Sequence, residues 1–277
     1  MVKKGIIIQA RVDSTRLPAK ILFKLPFNSN FTVLEQVIKR CKNADNLDEI
    51  IIATTSKEND NVLEKITKFD GIRIFRGNEY NVLERFYYAA KIYKLNLIIR
   101  VTGDNPCIDS SLISTVLENH IRNKADYTKT EGYPIGLNVE VFNFNALEKA
   151  YKNATKDYEK EHVTPYINRN PKKFKINIIK APKELYAPDI RVTLDTEEDY
   201  ALLCALYDYL YPKNKYFNAY DIVNLFNQKP WLKLINKKII QKKIFNSLEE
   251  ELKEAINILD LQDLNKARDF FKENLSR

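Results

Sequence analysis

The sequence predicts an α/β protein: a mainly parallel, mixed sheet covered on both faces, followed by a helical C-terminal region. Three observations predict it. Short runs that are apolar throughout, such as Ile6-Ile7-Ile8 and Ile50-Ile51-Ile52-Ala53, alternate with segments that are apolar at helical spacing. Continuous apolar runs suit strands buried on both faces, and parallel strands need helical crossovers between them. After residue 138 the pattern changes to alternating strands, and after residue 197 it becomes mostly helical.

Taken in order, residues 6–8 read as the first buried strand. Val33-Leu34, Val37-Ile38 and Cys41 then recur at helical spacing. Residues 49–54 are the next strand, 61–69 a helix and 72–75 a short strand. Val82-Leu83, Phe86-Tyr87, Ala90 and Tyr93 form a helical stripe. Residues 97–101 are a strand that ends at Thr102-Gly103-Asp104-Asn105-Pro106, and Asp109-Ser110-Ser111 supplies the cap of a further helix. Residues 138–142, 175–179 and 190–194 read as strands, and 146–151 as a helix. Helices are expected over 200–211, 220–226 and 248–259. The organisation expected is one large domain over residues 1–211 and a helical appendage over 212–277.

Composition narrows the function. The chain has 277 residues, 44% of them apolar, enough for a sizeable core. The formal charge is +8, but 37 acidic residues are interleaved with 45 basic ones, with no basic stripe carrying aromatics. That balance suits an acidic small substrate as well as nucleic acid, and the missing stripe argues against nucleic acid. Three scattered cysteines, Cys41, Cys107 and Cys204, form neither a CxxC pair nor a disulfide framework. No run approaches the ~18 apolar residues that would span a membrane, and the apolar stretch after Met1-Val2-Lys3-Lys4 is too short for a signal peptide. A cytoplasmic protein is expected, with no membrane partner.

The candidate chemistry sits at strand ends, where open α/β sheets bind ligands. Arg11, Arg16 and Lys20 put three cations into ten residues after the first strand. The chain has no glycine-rich phosphate loop and no GxGxxG, so side-chain cations would hold a polyphosphate. Ser14 and Thr15 either donate to phosphate or cap the turn. Asp104 follows the central strand, placed to hold a metal against a triphosphate or to make an ordinary turn. Asp195 is either a second metal ligand or part of a helix start, and the two roles are compatible. Glu140 on a strand, with Asn138 before it and His162 further on, suggests an acceptor pocket; a structural histidine is the alternative. No GxSxG and no zinc spacing is present.

Together these residues resemble the cytidylyltransferase family of CMP-Kdo synthetase, and more closely its SpsF-type, spore-coat-polysaccharide branch. The matching pieces are Gln9-Ala10-Arg11 with Ser14 to Lys20, Ile52-Ala53-Thr54-Thr55, and Phe75-Arg76-Gly77-Asn78-Glu79 with Val82-Leu83-Glu84-Arg85-Phe86. Arg100 to Asp109, Gly136 to Phe142, Glu161 to Tyr166 and Val192 to Asp199 complete them, in family order over about residues 4–210. The resemblance implies a Rossmann-like nucleotide-diphospho-sugar transferase (GT-A-like) sandwich, often dimeric, with homodimerisation the expected self-association. It implies CTP as donor, a small-molecule acceptor and Mg²⁺ as metal. By position, Arg11 and Lys20 match the triphosphate-binding cations, with Arg16 in support. Asp104 and Asp195 match the metal-binding carboxylates. Gln9, Ala10, Ser14, Thr15, Arg76 and Thr102 lie on segments that approach the nucleotide and acceptor. Ile135 and Asn138 stand where SpsF-type chains often carry Arg and Asp, and Thr102 stands where the Kdo-synthetase pattern has Gln. Both departures imply an altered acceptor, either a sugar acid or a phosphorylated small molecule. The alternatives left open are a glycosyltransferase of the same fold and a non-catalytic nucleotide-binding subunit. The absence of an Asp-X-Asp motif and the retention of all four charged residues argue against them.

Overall fold

The computed structural model describes residues 2–239 and 247–275. Chain contacts divide it into two compact units, Met1–Ile239 and Ile240–Arg277.

The first unit opens with β1 (Lys4–Gln9), α1 (Val33–Lys42), β2 (Glu49–Thr55), α2 (Val62–Asp70), β3 (Arg73–Gly77), α3 (Val82–Ile92) and β4 (Leu97–Thr102). These strands are parallel, in the order β3-β2-β1-β4. After α4 (Ser110–Asn123) come β5 (Tyr127–Glu131), β6 (Glu140–Asn143), α5 (Phe144–Asn153), α6 (Asp157–His162), α7 (Pro165–Asn168) and β7 (Ile176–Lys180). β6 inserts antiparallel between β4 and β5, and β7 runs parallel to β5, so the seven-stranded sheet reads β3-β2-β1-β4-β6-β5-β7. The sheet is therefore mixed but parallel through its first four strands, as the apolar runs predict.

Two apolar layers cover it, sorted by the period-2 alternation of the strands. Ile6, Ile8, Ile52 and Ile99 face one layer with Leu34, Val37 and Ile38 of α1 and Ile113 and Val116 of α4. Ile7, Ile51 and Ile98 face the other with Leu83 and Phe86 of α3 and Leu147 of α5.

The sequence placed a domain boundary after residue 211. The first unit instead continues through α8 (Glu197–Leu210), α9 (Ala219–Gln228) and α10 (Leu232–Ile235). The reason is burial. Phe217, Ile222, Phe226 and Leu232 belong to the same apolar layer as β1. The Arg40 guanidinium on α1 donates to the Phe217 carbonyl at 2.7 Å. The second unit contains α11 (Leu248–Leu261) and α12 (Asn265–Leu275), joined by an Arg268–Asp260 ion pair of 2.8 Å.

Residues 190–194 were expected to form a strand. They make one isolated bridge, Ile135 to Arg191, and no named strand. Hydrogen bonds from the Ile135 amide to the Ile190 carbonyl and from the Val192 amide to the Ile135 carbonyl, both 2.8 Å, hold them, and Gly136, at φ +103°, allows the approach. A Cβ there would lie 2.9 Å from the Thr193 nitrogen and the Val192 carbonyl carbon. Gly136→Ala is therefore expected to lower stability by about 3 kcal/mol through positive-φ strain and backbone overlap. Urea denaturation measures it; a midpoint equal to wild type would show that the contact relaxes freely.

Among the described residues no helix is long and apolar enough to cross a membrane.

Candidate active site

The loop after β1 is built before it is charged. Asp60 is buried and accepts from the Val12 amide at 2.7 Å and from the Thr55 amide and hydroxyl, tying the loop to the end of β2. The Ala19 amide closes back onto the Val12 carbonyl at 3.1 Å. Ala19 itself is left-handed, at φ +55°, which turns the chain into the short 3-10 segment Lys20–Leu22 and sends Lys20 inward.

Lys20 is 8% exposed and uses three partners. Its Nζ donates to Asp104 Oδ2 at 2.6 Å, Asp195 Oδ1 at 2.8 Å and the Leu194 carbonyl at 2.7 Å. The structure thus brings together three residues that are 84 and 175 positions apart along the chain. Burial opposes the charge on Lys20, but the two carboxylates outweigh it and raise the ammonium pKa.

Asp104 sits just past β4. Gly103 before it closes on the parallel neighbour: its amide donates to the Gln9 carbonyl at 2.8 Å, and a Cβ there would lie 3.0 Å from that of Ala10. Thr102 Oγ donates to Asp104 Oδ1 at 2.6 Å and fixes the carboxylate plane. The Asp104 carbonyl accepts from the Leu194 amide at 2.9 Å, docking the two aspartate segments.

Asp195 is surrounded by cations. Arg16 reaches it at 2.9 Å and Arg191 at 2.6 Å, besides Lys20. Burial pushes the Asp195 carboxyl up, but these cations overcome it and hold it at about 2. Arg191 also pairs with the buried Asp199 at 2.9 Å, and Asn236 donates to Asp199 at 2.9 Å. Helix α8 starts immediately after, capped by Thr196 with Asp199 returning the bond. The sequence reading did not single out Arg191 or Asp199; their signal is the spacing of Arg191 four and eight residues before the two aspartates.

The chemistry of this donor set accommodates Mg²⁺. Two carboxylates that accept from one ammonium are close enough to share one cation, and Mg²⁺ takes one or two protein carboxylates plus phosphate and water oxygens. Among the described residues no cluster of three or more His, Cys, Asp or Glu forms an all-protein metal cage.

The first loop, which carries Lys20 further along, also lines a cleft of about 800 Å³. Its lining includes Gln9, Arg11 and Thr15 from the first loop, Arg85 from α3, and Asp157 and Lys160 from α6. Arg11 is exposed. Ala10 is buried, and its amide donates to the Ala53 carbonyl at 3.2 Å. Ser14 is half-buried. Arg76 does not extend a free fork: it donates to the Thr55 and Lys57 carbonyls at 3.1 and 2.6 Å, to Asn61 and to Glu64, and so clamps the loop after β2.

The three acceptor candidates are placed differently from one another. Asn138 is exposed. Glu140 is occupied by protein: Oε2 accepts from Arg100 at 2.6 Å, and Oε1 from Thr164 at 2.7 Å and from Tyr127. Arg100 in turn donates to Gln9 at 3.3 Å, so Glu140 reaches the first loop through Arg100. His162 ends α6, half-buried. Its carbonyl accepts from the Thr164 amide at 2.8 Å across Val163, whose φ of +71° and ψ of −55° define a γ-turn. A buried, β-branched residue held there is strained, and Glu140 holding Thr164 helps to maintain it. The other histidine, His120, bonds Thr128 and Asn143 and is structural.

Burial pushes the Glu140 carboxyl up, but Arg100, Tyr127 and Thr164 overcome it and lower its pKa. A lowered folded value means its stabilisation is present above the ordinary glutamate pKa and is lost as pH falls through the lowered one. Glu140→Gln is expected to cost about 2 kcal/mol at neutral pH. In denaturation series from pH 7 downwards the gap to wild type should close in the acid range. A gap that persists unchanged there would assign the loss to packing.

The chain matches the cytidylyltransferase family over residues 5–239. It is 38% identical over 229 residues to the spore coat polysaccharide biosynthesis protein SpsF of Bacillus subtilis, covering 81% of this chain and 94% of that one. It is 41% identical over 249 residues to an uncharacterised protein of Methanocaldococcus jannaschii, covering 88% and 98%. A cytidylyltransferase structure from Leptospira borgpetersenii superposes with a TM-score of 0.77 at 30% identity, covering 89% of this chain and 100% of that one. The family match spans β1 to α10, and the Rossmann-like nucleotidyltransferase fold expected from the sequence is the fold found.

Proposed function

Because the chain belongs to the cytidylyltransferase family and is a CTP-dependent nucleotidyltransferase, we propose that it transfers CMP to a sugar acid or a phosphorylated small molecule and releases pyrophosphate. The product would enter surface polysaccharide or glycan precursor synthesis, the process for which its Bacillus relative is named. One observation carries the reading: Asp104 and Asp195 converge on Lys20, which follows the loop whose Arg11 lines the cleft.

In this reading an acceptor oxygen attacks the α-phosphate of CTP in line. Charge spreads over the phosphoryl oxygens in the transition state, so positioned charge supplies most of the catalysis. Asp104 and Asp195 would hold Mg²⁺, which would polarise the α-phosphate and offset charge on the leaving group. Thr102 orients Asp104, and Arg16 and Arg191 orient Asp195. Arg11 and Lys20 are the proposed cations for the β- and γ-phosphates. Lys20 reaches them only by giving up its hydrogen bonds to the two carboxylates. His162 and Asn138 are proposed to meet the acceptor, and Glu140 to set their segment through Arg100 and Thr164.

The test is pyrophosphate release with Mg²⁺ and each of CTP, UTP, ATP and GTP. The acceptor pool would contain sugar acids and phosphorylated sugars, polyols and amino acids, with products read by mass. CTP-dependent pyrophosphate with a new cytidylyl mass is expected, and that mass names the acceptor. Turnover with another nucleotide in preference to CTP would reject the donor assignment.

A further inference from the structure

Arg85 is a buried cation without a counterion. It lies in the first half of α3, is 1% exposed, and its Nε and Nη1 have no hydrogen-bond partner. Among the described residues it makes no ion pair. The acids whose field reaches it, Asp60 and Glu79, are engaged elsewhere: Asp60 with Val12 and Thr55, and Glu79 with Lys57 at 2.6 Å. Burial, and the nearby Arg11 charge, bring the guanidinium down to about 10.

Two other buried arginines have partners that Arg85 lacks. Arg40, although its Nε is also without a partner, donates to main-chain carbonyls and lies 4.0 Å over the Phe217 ring, and Arg191 holds two aspartates. Burying an unpaired charge costs several kcal/mol, so the arrangement calls for a partner that arrives later. The side chain itself has been given room. A Cβ on Gly77 would lie 3.1 Å from Arg85 Cγ, so glycine there lets the side chain pass. Arg85 lines the same cleft as Arg11 and Lys160, while the acids of that lining on α6, Asp157 and Glu161, are exposed.

We infer that Arg85 is a substrate-binding residue whose guanidinium takes an oxyanion, phosphate or carboxylate, of the molecule that enters this cleft. The inference rests on the nucleotidyl-transfer reading. The oxyanion has two sources, the triphosphate of CTP or an acidic group of the acceptor.

The experiment compares wild type, Arg85→Met and Arg85→Lys by urea denaturation and by calorimetric titration. The probes are CTP, cytidine and inorganic pyrophosphate, and inorganic phosphate added to the CTP-saturated enzyme. Arg85→Met is expected to be at least as stable as wild type and to lose about tenfold or more in oxyanion affinity, with Arg85→Lys recovering part of it. A joint loss for CTP and pyrophosphate assigns the triphosphate. Unchanged CTP binding with a lost phosphate signal assigns the acceptor. Unchanged affinity for every probe in a destabilised Met variant makes Arg85 structural and overturns the inference. An equal loss for cytidine and CTP overturns it too, because the contact would then be to the nucleoside. If the Met variant does not fold, the Lys variant decides: weaker oxyanion binding supports the inference, and wild-type binding overturns it. A wild-type protein that binds none of the probes rejects the transferase reading as well, which separates the two failures.

Discussion

Asp104→Asn is expected to lower pyrophosphate release by about 10³-fold while leaving the fold intact. The asymmetry of the cluster is the reason. Among the described residues the Asp104 carboxylate is held by Lys20 and Thr102 alone, whereas Asp195 is held by Lys20, Arg16 and Arg191. Neutralising Asp104 leaves Lys20 paired with Asp195 and bonded to the Leu194 carbonyl, so no buried charge is stranded. What is lost is one of two carboxylates that would hold the metal, together with charge placed for the transition state, and changes of this kind typically cost about 10²–10³ in rate. Steady-state pyrophosphate release and a denaturation curve on the same preparation measure both parts. Turnover within tenfold of wild type would remove Asp104 from the proposed chemistry.

Lys20→Met is expected to lower stability substantially. Removing the ammonium leaves Asp104 and Asp195 facing each other with no cation between them and the Leu194 carbonyl without its donor. Breaking a buried ion pair by deleting one partner costs about 3–5 kcal/mol. The lower end applies here, because Arg16 and Arg191 still touch Asp195. A divalent cation replaces the missing charge, so millimolar Mg²⁺ should restore part of the loss in this variant and do less for wild type, where Lys20 competes for the site. Urea denaturation with Mg²⁺ or with chelator, at neutral pH, is the measurement. Equal stability in both conditions would mean that the two carboxylates do not form a cation site.

The parts of the fold that were legible in the sequence are those where burial is one-dimensional. Ile6 to Ile8 and Ile51-Ile52 are apolar because both faces of β1 and β2 are covered, and no long-range information is needed to see it. β5, Tyr127-Thr128-Lys129-Thr130-Glu131, was not anticipated. Its polar residues are satisfied by partners outside the strand, as Thr130 is by the Val139 amide, so the strand reads as a loop. Val192 to Leu194 are buried like a strand but are held by a glycine turn and a carboxylate cluster rather than by a ladder.

For the site, the residue types at strand ends carried the signal, and the pairings did not. The pairing of Lys20 with Asp104 and Asp195 is not legible, because a loop lysine carries no mark of its eventual burial. Glu140 was read as facing substrate because Arg100, which occupies it, sits inside an otherwise apolar run. That interruption of Ile98-Ile99-Arg100-Val101 was the available clue, since a cation on a two-sided buried strand requires an anion. Arg85, Arg100 and Arg191 are hidden for a common reason: a buried arginine and a solvated one look alike in sequence.

The reach of Lys20 also orders events during synthesis of the chain. Strands β1 to β4 lie within the first 102 residues, so the parallel half of the sheet emerges from the ribosome early. Asp195 and the Leu194 carbonyl follow much later, and Arg40 waits still longer for the Phe217 carbonyl. A nascent chain shorter than about 195 residues therefore holds its buried lysine against a single carboxylate, and non-local closure of this kind is slow to form. The protein acquires its sheet by halves but its chemistry in one late event, so premature termination yields framework without a reactive centre.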